Sequence, residues 1–94
     1  MIKSFQVMGH NVKVKFGRVP REAWAYYRSD TKEIVLSPRL KKSERSFFDQ
    51  TLMHEICHCV LDHMGREDLN ADEGFVDLLS NCLHNVVNTL ERED

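Results

Sequence analysis

The stretch that decides the fold reads Leu52-Met53-His54-Glu55-Ile56-Cys57-His58-Cys59-Val60-Leu61-Asp62-His63. Within it, His54-Glu55-Ile56-Cys57-His58 is an H-E-x-x-H pattern. On an α-helix, residues i and i+4 lie one turn apart on the same face, so the imidazoles of His54 and His58 converge. Glu55 stands about 100° round the helix from His54, beside that point rather than on it. Two imidazoles can hold a divalent metal, and the adjacent carboxylate can take a proton from a water on that metal. The bland alternative is a buried helix that happens to carry three polar groups. Phe47, Phe48, Leu52, Met53, Ile56, Cys59, Val60, Leu61 and Met64 make the segment apolar almost all round, which predicts a central, buried helix. Three ionisable groups inside such a helix are costly unless something pairs them, and a metal would.

Working outward, 94 residues make one domain, 1–94. A core this small leaves room for a bound metal to contribute to folding. The formal net charge of −2 argues against a nucleic-acid partner, which would call for a strong basic footprint. The run Arg39, Lys41, Lys42, Arg45 is short and interrupted and reads as a solvated patch. No apolar run is long enough to span a membrane, and Met1-Ile2-Lys3-Ser4-Phe5 shows no secretory leader. The three cysteines, Cys57, Cys59 and Cys82, are odd in number and fall in predicted helices. Cys57 and Cys59 are two apart and point in different directions. Reduced thiols and a cytoplasmic location follow as expectations. Cys57 is the one cysteine near the histidine face, and the favoured reading is a small buried residue.

Residues 2–8 and 12–16 alternate like half-buried strands, with Gly9-His10-Asn11 as the turn between them. His10 is expected to be an exposed turn residue. Residues 17–22 form a loop. Residues 23–37 read as a second hairpin, with Trp24-Ala25-Tyr26-Tyr27-Arg28 and Ile34-Val35-Leu36-Ser37 as its strands and Pro38 as its stop. Ser43 is the expected N-cap of a helix over 44–64, with Gly65 placed to end it in a left-handed cap. After a tight link, Asn70-Ala71-Asp72-Glu73 fits a capping box opening a second helix that runs to about Leu90. That helix is amphipathic. Phe75, Leu78, Leu79, Cys82, Leu83, Val86 and Leu90 line one face; Glu73, Asp77, Ser80, Asn81, His84 and Asn88 line the other. The tail Glu91-Arg92-Glu93-Asp94 is expected to fray. The fold class is α+β: two N-terminal hairpins forming a small antiparallel or mixed sheet, packed on two C-terminal helices.

A catalytic zinc site usually takes three protein ligands and a water. The short link folds the second helix back beside the first, which brings Asp72 and Glu73 near His58. Glu73 is preferred as third ligand, because Asp77 then sits one turn on, on the same face, to accept a hydrogen bond from a ligating histidine. His84 shares the azimuth of Glu73 but lies roughly 16 Å further along the helix. His63 points about 140° away from His58, so both fall outside the site.

His54-Glu55-x-x-His58 followed by Glu73-x-x-x-Asp77 resembles the gluzincin branch of the zincin metallopeptidases. It is also similar to small phage-encoded proteins of the ImmA/IrrE metallopeptidase-like kind. The resemblance covers residues 23–88. Two features depart from it: Asp72 stands where the family has Asn, and the interval from His58 to Glu73 is short. The resemblance implies one zinc ion on His54, His58 and Glu73, with Asp77 behind a histidine and Glu55 as general base for peptide hydrolysis. It also implies a peptide or protein substrate along a sheet edge, for which the 23–37 hairpin is the candidate. Tyr26 and Tyr27 are the candidate transition-state donors, alternating so that one points inward. The alternative function is a zinc-stabilised protein-binding module without useful turnover, and a weaker one is an antagonist docking through its strand edge. A structural zinc site has no need of Glu55 and commonly closes with a fourth protein ligand. A His/His/Glu set favours zinc among divalent ions.

Overall fold

The computed structural model describes residues 2–91; the expected fraying of 92–94 lies outside the described residues. Strand β1 (Ser4–Val7) turns back into β2 (His10–Phe16). The pair is antiparallel with Val7 opposite His10, so the loop is the two residues Met8-Gly9, not Gly9-His10-Asn11. Met8 (φ 50) and Gly9 (φ 82) are both left-handed. That is the backbone of a type I′ turn, whose twist matches that of the strands it joins. His10 is exposed, but it belongs to β2 and its ring lies 5.5 Å from that of His63.

Strand β3 (Ala25–Arg28) and strand β4 (Glu33–Leu36) form the second hairpin, antiparallel, with Tyr27 opposite Ile34. β4 then inserts beside β2 in parallel, Val14 opposite Ile34. The four-stranded sheet is therefore mixed, in the order β1-β2-β4-β3, and β3 is an edge. Period-two burial is clean in β2, where Val12 and Val14 are buried between exposed neighbours. In the inner strand β4, Ile34, Val35 and Leu36 are all buried.

Pro38 stops β4 as expected and also starts a 3₁₀ turn, Pro38–Lys42. Ser37 caps that turn, its Oγ accepting from the Arg39 N–H at 3.3 Å. This turn displaces the predicted cap of the next helix. Ser43 closes the 3₁₀ turn, donating its hydroxyl to the Leu40 carbonyl at 2.7 Å. Helix α1 (Arg45–His63) has Glu44 as its N-cap, without a side-chain bond. At its other end Gly65 (φ 71) takes the left-handed cap. The Gly65 N–H reaches the Asp62 carbonyl and the Arg66 N–H the Leu61 carbonyl, both at 3.0 Å, a Schellman closure.

The link to the next helix is itself a single turn, α2 (Glu67–Asn70). Helix α3 (Glu73–Thr89) is capped by Asp72, whose Oδ1 accepts from the Phe75 N–H at 3.0 Å. The capping box Asn70-x-x-Glu73 does not form, because Asn70 ends the preceding turn.

α1 is the middle layer. Leu52, Ile56 and Cys59 pack on Val12, Val14, Ile34 and Leu36 of the sheet. Met53, Cys57 and Leu61 pack on Val76, Phe75 and Leu79 of α3. Cys57 and Cys59 thus point to different cores, and Cys57 is a packing residue. The rotation of α3 departs from its simple amphipathic reading. Val76 and Ser80 are fully buried against α1, while Leu78, Val86 and Leu90 are 66%, 50% and 60% exposed. Buried Ser80 is satisfied: its Oγ donates to the Asp77 carbonyl at 3.0 Å and accepts from Gln50 Nε2 at 3.3 Å.

Candidate metal centre

α1 presents His54 and His58 side by side, with ring centroids 4.9 Å apart. α3 brings Glu73 to both. Its Oε2 lies 3.3 Å from His54 Nε2 and its Oε1 lies 3.0 Å from His58 Nε2. The three candidate ligand atoms all lie within 4.8 Å of one another.

The far nitrogens are tied as well. His54 Nδ1 lies 3.0 Å from Asp77 Oδ1. His58 Nδ1 contacts Asn70 Oδ1. A carboxylate or an amide oxygen can only accept, so both Nδ1 atoms carry the proton. Both Nε2 atoms then face the Glu73 carboxylate, a contact that either a second ring proton or a shared cation completes, and this donor set fits a divalent metal. The histidine side chains are mostly buried, but Glu73 is 65% exposed. The centre therefore opens to solvent on the α3 side.

Of the two carboxylates weighed for the third position, Asp72 is occupied as the cap of α3 and Glu73 meets the histidines. His84 pairs with Asn88 at 2.9 Å, away from the centre. His63 donates from Nδ1 to the Cys59 carbonyl at 2.9 Å, also away from it. Asn70, expected to cap the second helix, instead ends α2 and orients His58. Its polar side chain in the return between the two helices was the available signal.

Glu55 is buried, with 8% of its surface exposed. Burial pushes its carboxyl above the ordinary value, Glu73 adds to this, and the two imidazoles oppose it. A raised carboxyl is better matched to proton transfer near neutral pH. Two clefts flank it, and Glu55 is the residue they share. One, of about 310 Å³, is polar and includes Tyr26, Tyr27, His58, Asp62 and Asn70. The other, of about 340 Å³, includes Ala23, Trp24, Ala25, Phe47 and His54. Together they follow the β3 edge past the histidines.

Both tyrosines line the polar cleft, so strand alternation does not divide them as expected. Tyr27 packs on the sheet core and donates its hydroxyl to Asp62 Oδ2 at 2.9 Å, where Lys32 Nζ also sits at 3.3 Å. Burial and then this hydrogen bond push the Tyr27 phenol up. No side-chain hydrogen bond engages the Tyr26 hydroxyl among the described residues.

A mixed sheet with its edge strand beside a helix bearing two histidines, and a carboxylate supplied by the following helix, defines a metallopeptidase-like domain of zincin type. A profile of the SprT-like family matches residues 3–89, and the chain belongs to that family, a zinc metallopeptidase-like one. The match selects this family and gives no specific support to the ImmA/IrrE kind. No curated protein and no solved structure matches the chain. No helix among the described residues is long and apolar enough to cross a membrane.

Proposed function

We propose that the chain is a zinc-dependent peptidase that cleaves a peptide bound along the β3 edge. The observation that carries this reading is the pair of histidines with protonated Nδ1 atoms held by Asp77 and Asn70, their Nε2 atoms turned to Glu73. His54, His58 and Glu73 would hold the ion, which when bound supplies Lewis acidity to activate water and polarise the scissile carbonyl. Glu55 takes the proton of the attacking water and passes it to the leaving amine. β3 offers unpaired backbone groups to an extended substrate on the side where both clefts open. Of the two tyrosine hydroxyls in the polar cleft, that of Tyr26 donates to the developing oxyanion, since that of Tyr27 is held by Asp62. The free cysteines are in keeping with action in a reducing cytoplasm.

The competing reading, a zinc-stabilised binding module, calls for a fourth protein ligand. Cys57, the one cysteine near the histidine face, is turned into the α1–α3 core.

Elemental analysis of protein purified without added metal or chelator tests the site. About one zinc per chain is expected, lost in His54→Ala and His58→Ala and kept in Glu55→Gln. Glu55→Gln is expected to lower peptide hydrolysis by roughly 10²–10⁴-fold. Unchanged zinc in the histidine variants sinks the site, and unchanged turnover in Glu55→Gln sinks the general-base role.

A further inference from the structure

We infer that the cleft on the His54 side of Glu55 is a specificity pocket for a neutral apolar side chain, aromatic or branched aliphatic, next to the scissile bond. The inference rests on the peptidase reading and adds the substrate class to it. The pocket is built from the two elements that flank the substrate path. Trp24 comes from the residue before β3, and Phe47 from the first turn of α1. Their rings meet edge to face, 5.1 Å apart at 82°, an attractive aromatic geometry. Each is more than a third exposed, Trp24 at 38% and Phe47 at 41%. They form an apolar surface open to solvent immediately beside His54 and Glu55.

The wall is held in place before any substrate arrives. Arg39 stacks over the indole at 4.3 Å, and its Nη2 donates to the Ala23 carbonyl at 2.9 Å. A fixed indole loses little freedom on binding. The cleft, about 340 Å³, is near the small end of ligand pockets, which run ~300–1,000 Å³. It suits one large side chain with its flanking backbone.

Charge selects against ionised side chains. The ionisable residues lining the cleft are His54, Glu55 and Asp77, all belonging to the proposed centre. A carboxylate entering it meets Glu55 and Asp77. A cation is left with Glu55, which is buried, and Asp77, which already holds His54 Nδ1 at 3.0 Å. A carboxylate would be desolvated without a partner and a cation would compete with His54 for Asp77, while an apolar side chain gains by leaving water. The cleft on the other side of Glu55 holds Tyr26, Ser29 and Asp62, so the two sides of the scissile bond are read differently.

Trp24 is the chain's only tryptophan, so its emission reports occupancy of this pocket directly. The experiment titrates zinc-loaded Glu55→Gln protein with blocked alanine hexapeptides carrying one Phe, Leu, Gly, Asp or Lys at each position in turn. At one position, Phe and Leu are expected to shift the emission and to bind at least tenfold more tightly than Gly, Asp or Lys. Phe47→Ala in the same background should erase that preference. Equal binding of all five, no binding of any, or a preference that survives Phe47→Ala overturns the pocket. Wild-type cleavage of the same peptides separates the two readings. Cleavage without side-chain preference removes the pocket and leaves the peptidase. Selective binding without wild-type cleavage removes the peptidase and leaves the pocket as a peptide-binding site.

Discussion

α1 and α3 are neighbours of similar length, 19 and 17 residues, yet they place their apolar residues in opposite ways. α1 is apolar nearly all round and buries both sides, one on the sheet and one on α3. α3 carries a clear apolar stripe and leaves much of it in solvent, with Leu78, Val86 and Leu90 at least half exposed. The face it turns to α1 carries Glu73, Val76, Asp77 and Ser80. A helix has one rotation about its axis. The apolar stripe centred on Cys82 and Val86 lies roughly a third of a turn from the line through Val76 and Ser80. Bringing Glu73 and Asp77 to the histidines fixes the rotation, and the stripe is left half covered. Local pattern and global fold disagree where the proposed chemistry sits, which is where such conflicts are expected.

The comparison can be broken at several points. The largest effect belongs to Glu55. If α1 keeps a buried carboxylate for chemistry, Glu55→Gln removes the hydrolysis while the urea midpoint stays level or rises, because burial disfavours the charged form. A marked fall in midpoint would make Glu55 a structural residue instead.

Next come the packing faces. Leu61→Ala, in the α1–α3 core, is expected to cost ~2–5 kcal/mol. Val76→Ala, on the inward face of α3, should cost about 2 kcal/mol for its two buried methyls. Leu78→Ala should stay within ~0.5 kcal/mol. Urea unfolding measures all three, and a Leu78 loss equal to that of Val76 would mean the outer stripe is covered in solution.

Smaller again is the effect of the groups behind the histidines. Asn70→Ala and Asp77→Ala should each weaken zinc binding by about 10–100-fold, read by competition with a chromophoric chelator. Wild-type affinity in Asn70→Ala would return Asn70 to a plain turn residue. The mildest test is thiol labelling. Cys82 on the exposed side of α3 should react with an alkylating reagent in the native protein. Cys57, buried and with its thiol pushed up to about 11 by that burial, should react only on unfolding, as should buried Cys59.

Much of this architecture is legible in the residues. The H-E-x-x-H spacing and its apolar flanks give α1, the alternation in 2–16 gives the first hairpin, and Gly65 gives the helix stop. Each is a short-range signal with a direct steric or hydrophobic cause. What the sequence leaves open depends on partners distant in the chain. The parallel pairing of β2 with β4 has no local mark. Ser43 reads as a helix cap until Pro38 nucleates a 3₁₀ turn that claims its hydroxyl. Asn70 reads as a cap until the turn α2 carries it to His58. Trp24 reads as an ordinary strand aromatic, and only its position against Phe47 beside Glu55 makes it a pocket wall.

The Met8-Gly9 turn has a consequence for sequence design. Met8 holds φ at 50° with its side chain 73% exposed, so it carries left-handed strain with little packing in return. Asparagine before glycine is the favoured pair for a type I′ turn. The turn joins β1, at the edge of the sheet opposite β3. An Asn at position 8 would therefore reinforce the hairpin at the end of the molecule away from the substrate edge, and would raise the tolerance of the histidine centre to destabilising substitutions without touching its chemistry.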